Sequence, residues 1–181
     1  MVAVFTSIDC GSDSDSYTDE NSIKWIGDGG LISEGEPRAV RADSEHRSLR
    51  TLRVFTGPRK KYCYAIPAEK GGKVLLRTTF YYGNYDGKSS PPSFALFADG
   101  NVWERRVSFA SVDQVVPYEA IYVPKGDYVS VCVARTNPGQ FPIISAIEVR
   151  SVGSDMYGRA NSTHALLTKL RIPFGANKDI R

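Results

Sequence analysis

Tyr81, Tyr82 and Tyr85 stand beside Asn84 and Asp86 in one short stretch of the chain, a mixture of side chains that suits a sugar. The C–H face of a pyranose ring packs on an aromatic plane, while carboxylates and amides bond its hydroxyls, so a sugar site needs both residue types together. A purely structural reading is also open, in which aromatics at a strand end form the lid of a core. Catalytic chemistry has less to stand on. Glycoside hydrolysis needs two carboxylates with no fixed sequence spacing, and Asp86, Asp99 and Glu104 are candidates only in the sense that any chain with 20 acidic residues offers such pairs. Gly-x-Ser-x-Gly, a phosphate-binding loop and His-Glu-x-x-His are all absent from the sequence. The two histidines, His46 and His164, are 118 residues apart and suggest neither a metal site nor a base with its partner. The expectation is therefore a non-enzymatic binding protein without cofactor or metal.

The five residues sit at the end of a strand pattern in Val74 to Gly100. Val74, Leu76, Thr78, Phe80 and Tyr82 share one face and Leu75, Arg77, Thr79 and Tyr81 the other. Polarity then changes at once, to Gly83, Asn84, Asp86, Gly87, Lys88, Ser89 and Ser90, before Pro91 and Pro92. Further strands are expected at 2–8, 23–26, 49–56, 60–66, 94–98, 102–109, 120–123, 128–134 and 143–152, separated by Gly, Pro, Asn or Asp. In 128–134 the valines 129, 131 and 133 mark the core side. Many short strands with turns between them predict an all-β, antiparallel sandwich. Residues 12–20 read as a solvated acidic loop and 31–48 as irregular structure. Asp13 and Asp15 have the first two spacings of a calcium loop, but Tyr17 and Thr18 stand where an oxygen ligand and the glycine belong. Ser162 to Leu170 is the one helix candidate, two turns long with a hydroxyl cap.

The totals bound the rest. A chain of 181 residues with 41% hydrophobic and 24% charged residues makes one folded domain, with the edge of another at most. The net charge of +3 is spread among 23 basic and 20 acidic residues, and the cluster Arg59, Lys60 and Lys61 reads as a solvated turn, so nucleic acid is unsupported as a partner. The first residues carry no cationic, apolar leader, and no window approaches a membrane span. Cys10, Cys63 and Cys132 allow at most one internal disulfide and match no zinc or redox motif. Cys63 and Cys132 both lie on the less hydrophobic face of a predicted strand, so a bridge between them requires those strands to be neighbours. Asn161-Ser162-Thr163 is an N-glycosylation triplet that matters if the protein is secreted.

Six segments in order carry a family resemblance: Ser7-Ile-Asp-Cys-Gly-Ser, Ile23-Lys-Trp-Ile-Gly-Asp, Tyr62-Cys-Tyr, Leu75 to Gly87, Ser130-Val-Cys and Pro142 to Arg150. Together they resemble the malectin-like domain of plant leucine-rich-repeat receptor kinases. The resemblance implies a malectin-type, jelly-roll-like sandwich over residues 1–153, a linker with the short helix over 154–170, and in 171–181 the opening strand of a second module. It also implies an extracellular position ahead of repeats, a membrane span and a kinase. The related animal lectin binds glucose-containing disaccharides through an aromatic pair and an aspartate. Tyr82 is the best match to that pair and Gly83 falls where its second aromatic would be; Asn137-Pro-Gly-Gln occupies the region of the aspartate. The resulting expectation is a carbohydrate-recognition module using Tyr81, Tyr82, Asn84, Tyr85 and Asp86. The alternatives are recognition of a secreted peptide or co-receptor protein, and a fragment that binds nothing without its second module.

Overall fold

The computed structural model describes residues 4–169. Its first strands are β1 (Phe5–Asp9), β2 (Ser16–Thr18), β3 (Lys24–Gly27), β4 (Glu36–Ala39) and β5 (Thr51–Val54), with a 3-10 turn at Arg47–Leu49. Next come β6 (Lys61–Pro67), β7 (Val74–Tyr81), β8 (Phe94–Ala98), β9 (Asn101–Val107), β10 (Val115–Tyr122) and β11 (Tyr128–Arg135). The last are β12 (Ile143–Ile144), β13 (Ala146–Ser151) and β14 (Leu166–Leu167). They make a seven-stranded sheet in the order β14-β10-β7-β13-β1-β3-β2, a four-stranded sheet β6-β11-β8-β9, and a three-stranded sheet β12-β5-β4. The pairings are antiparallel apart from β1 with β3.

The core faces are the ones that alternation picks out. Val74, Leu76, Thr78, Phe80 and Tyr82 are all buried, as are Val129, Val131 and Val133 from the facing sheet. Phe80 of β7 meets Phe94 of β8 edge-on, ring centroids 5.4 Å apart, which joins the two large layers into one core. The other face of β7 is also covered. Arg77 lies between its register partners Glu119 and Glu148, pairing with both, and Glu148 pairs on with Arg150 at 2.9 Å. Charges are tolerated at this depth because each has an opposite partner.

Cys63 and Cys132 are direct register partners on β6 and β11 and form a disulfide; Cys10 is buried and free. Three sequence expectations differ from the structure. The segment from Ser162 to Lys169 forms no helix: the side-chain Oδ1 of Asn161 accepts bonds from Thr163 N and Oγ1 and from His164 N, turning the chain, and Leu166–Leu167 then pairs with Ala120 and Ile121 on the edge of β10. The acidic segment holds strand β2, because Tyr17 donates to Asp9 at 2.8 Å and Asp19 accepts from Trp25 Nε1 at 2.9 Å. Irregular structure was expected around 36–39, where β4 pairs with β5. The expected second-module strand at 171–181 lies outside the described residues.

Asp9 is the most perturbed carboxyl of this region. Burial pushes it up from 3.8 to about 6, against bonds from Tyr17 and Thr51 and the charge of Arg47, which pull it down. A carboxyl raised on folding stabilises fully below its unfolded value and loses that contribution as pH rises to the folded one, here from about pH 4 to about pH 6, worth about 2–3 kcal/mol. Asp9→Asn should therefore remove a fall in stability across this window. Urea unfolding of both proteins between these pH values checks it; equal pH dependence in the two would refute it.

Candidate functional site

Beyond β7 the chain turns through residues in the left-handed region, with φ of 50° at both Gly83 and Asn84, 72° at Gly87 and 51° at Ser89. Gly83 is pinned on both sides. Its N–H donates to Val112 O at 3.0 Å, and its carbonyl accepts from Arg41 N at 2.8 Å and Ala42 N at 3.1 Å. A Cβ on Gly83 would lie 2.6 Å from Val40 Cβ and 2.8 Å from Tyr81 Cε1. Where the animal lectin's second aromatic would fall, then, the backbone and its neighbours leave space for hydrogen alone.

The five residues singled out in the sequence do not share one surface. Tyr82 is 0% exposed, belonging with Phe80 to the core face, and Tyr81 is 4% exposed on the opposite face of the sheet. The Tyr82 hydroxyl donates to Asp86 Oδ1, which also accepts from Lys88 N at 3.1 Å. Asn84 Oδ1 accepts from Ser89 N at 2.9 Å. Tyr85 is half-buried, its ring edge-on to Tyr82 at 5.5 Å between centroids. Burial, with the Asp86 charge second, holds its phenol at about 12.

Of the five, Tyr85 and Asp86 line a cleft of about 300 Å³. One wall is the loop after β7, contributing Tyr85, Asp86 and Lys88; the opposite wall is Gly139, Gln140 and Phe141; Arg38, Val54 and Thr56 close it from the small sheet. Gln140 is fixed as a wall because its Oε1 accepts from Ser93 N at 3.0 Å and Ser93 Oγ at 2.9 Å. Phe141 lies under the Arg135 guanidinium, 4.8 Å from it. The charged groups at the mouth are Arg38, ion-paired with Glu36, Asp86, and Lys88, whose ammonium is 4.0 Å from Asp86 Oδ2 on a side chain 74% exposed. Gln140 belongs to the Asn137-Pro-Gly-Gln stretch noted in the sequence, whereas Arg38 and Phe141 were not among the residues that sequence reasoning singled out, since only the folding of β4, β5 and the 137–141 turn brings them beside the loop. Asp99 and Glu104 are engaged elsewhere: Asp99 Oδ1 accepts from Ser130 N at 2.6 Å and Glu104 Oε1 from Arg106 N at 3.1 Å. Asn161, by contrast, is exposed on its turn. Among the described residues no group of three His, Cys, Asp or Glu is placed to hold a metal ion.

A family model described as the malectin-like domain matches residues 8–181. Among curated proteins, the uncharacterized protein At1g24485 of Arabidopsis thaliana is 38% identical over 97% of this chain and 35% of its own length. The probable LRR receptor-like serine/threonine-protein kinase At1g05700 of the same plant is 34% identical over 83% of this chain and 18% of its own length. The chain thus spans about a third of one relative and under a fifth of the other. Among solved structures, the ANXUR2 extracellular domain from Arabidopsis thaliana matches with a TM-score of 0.72 at 21% identity, over 82% of this chain and 41% of that one. A structure of the plant peptide RALF23 in complex with FER and LLG2 matches with a TM-score of 0.64 at 17% identity, over 83% of this chain and 40% of that one. At those identities the likeness is one of fold.

Proposed function

This chain is a member of the malectin-like domain family, and we propose that it is the recognition module of a receptor-kinase ectodomain, facing the outside of the plasma membrane, whose ligand is a secreted peptide or a partner protein. One observation carries the choice of ligand: the tyrosine and the carboxylate best suited to a sugar, Tyr82 and Asp86, are bonded to each other, with the Tyr82 ring fully buried. A sugar stacking at this loop would have Tyr85 alone of the three tyrosines. What the cleft offers instead is two aromatic side chains, Tyr85 and Phe141, with Arg38, Lys88 and Asp86 at its mouth, a lining that matches an apolar side chain flanked by charged ones.

Two further points support the reading. The curated relative At1g05700 is named a probable receptor-like kinase, and a neighbour of the same fold is described in complex with a plant peptide and a second protein. The cleft also holds one carboxylate, Asp86, where glycoside hydrolysis works with two, which favours recognition over hydrolysis at this cleft.

The test is a binding screen of immobilised protein against secreted plant peptides and soluble co-receptor ectodomains, repeated with Tyr85→Ala and Lys88→Glu. Loss of an aromatic anchor should weaken binding by tenfold or more, about 1.4 kcal/mol or above, and reversal of an exposed rim charge by less. Binding indifferent to both changes would move the ligand off this cleft. Binding that appears only when the protein is extended through a second module would favour the fragment reading.

A further inference from the structure

Cys63 and Cys132 face each other across β6 and β11 on the side of the sheet turned from the core, since their neighbours Tyr62, Tyr64, Val131 and Val133 are the buried ones. Their two sulfurs are not equivalent. Cys63 belongs to the edge strand of the four-stranded sheet and is exposed, whereas Cys132 lies between β6 and β8 and is 2% exposed. Ser130 Oγ is 3.2 Å from Cys132 Sγ; a sulfur in a disulfide has no proton, so the hydroxyl donates. Lys61, two residues from Cys63 on the same face, holds its ammonium 5.2 Å from the ring of Phe97, the register partner of Cys132. Cys63 is therefore the side of the bridge open to attack, and the covered sulfur of Cys132 has a hydrogen-bond donor in Ser130 to favour its thiolate. Thiol–disulfide exchange depends on both properties, access to one sulfur and a low pKa at the other.

We propose that Cys63–Cys132 is a thiol–disulfide exchange site for a dithiol reductant of the thioredoxin class. The reductant's thiolate attacks Cys63 Sγ, a new S–S bond forms, and the Cys63–Cys132 bond breaks with its electron pair going to Cys132 Sγ, which takes up a proton from solvent. The reductant's second thiol, deprotonated, then attacks its own sulfur in the mixed disulfide, releasing Cys63 as a thiolate that is protonated in turn. In sum the protein's cystine gains two electrons and two protons, and the dithiol becomes a disulfide. The β6–β11 ladder and the inward tyrosines and valines do not depend on the bridge, so the reduced protein keeps its strands.

A thioredoxin variant lacking its second cysteine traps the first intermediate on the native protein, and peptide mapping identifies the sulfur captured. Capture at Cys63 under native conditions is the expected result. Ser130→Ala, which leaves the backbone bond from Ser130 N to Asp99 in place, should slow native-state reduction by roughly threefold, because the leaving sulfur loses its hydrogen-bond donor. Far-UV circular dichroism and a cooperative unfolding transition check that the variant is folded. Capture at Cys132, or reduction that proceeds only at the rate of global unfolding, would overturn the proposal.

Discussion

Replacing Asp28 with alanine is expected to lower stability by about 3–5 kcal/mol, the cost of leaving a buried charge without its partner. Asp28 is 0% exposed and accepts four bonds: from Gly11 N at 3.0 Å, from Arg53 Nη2 and Nε at 2.6 Å each, and from Tyr64 Oη at 2.8 Å. Gly11 follows β1 of the seven-stranded sheet, Arg53 is on β5 of the small sheet and Tyr64 on β6 of the four-stranded sheet, so one carboxylate ties all three together. The Asp28 bond is also the main reason that the Arg53 guanidinium is held above its ordinary pKa. Since a domain of this size is stable by only about 5–15 kcal/mol, the variant should unfold at a much lower urea concentration, and Asp28→Leu combined with Arg53→Met should recover part of the loss. A midpoint for Asp28→Ala within the scatter of the unaltered protein would mean that the cluster contributes little.

Gly83→Tyr, which restores the aromatic pair of the animal lectin in sequence, should fail to restore it in space. The left-handed φ of 50° and the approach of Val40 together predict a cost on the order of 2–5 kcal/mol, from backbone strain and from overpacking. Thermal unfolding should register that loss, and titration with a glucose disaccharide should show no gain in binding. A variant as stable as the parent that binds the disaccharide would show that the loop rearranges to accept the ring.

Much of this was legible in the residues. The alternation that places Val74, Leu76 and Phe80 in the core also includes Tyr82, so the burial of that tyrosine was already written in its parity, and its neighbourhood of polar residues pointed the other way. Cys63 and Cys132 could be read as outward positions on two strands, while their adjacency depends on β6 pairing with β11 across 69 residues. The gap at Gly83 was visible, but its cause, Val40, is 43 positions away and reaches the loop only through folding. Arg38 and Phe141 enter the cleft by the same non-local route. Through Lys169 the helix expected over 162–170 gives way because the turn at Asn161 and the open edge of β10 offer the backbone other partners, a competition that local propensity does not contain.

The claim that the cleft serves a polypeptide is tested most directly by nuclear magnetic resonance titration with the aromatic side chains labelled, adding glucose disaccharides to millimolar concentration and, separately, the best peptide from the binding screen. The account predicts saturable shifts at Tyr85 and Phe141 with the peptide and none with the sugars. Saturable shifts at those rings and at Tyr82 on adding a disaccharide, with none from the peptide, would contradict it.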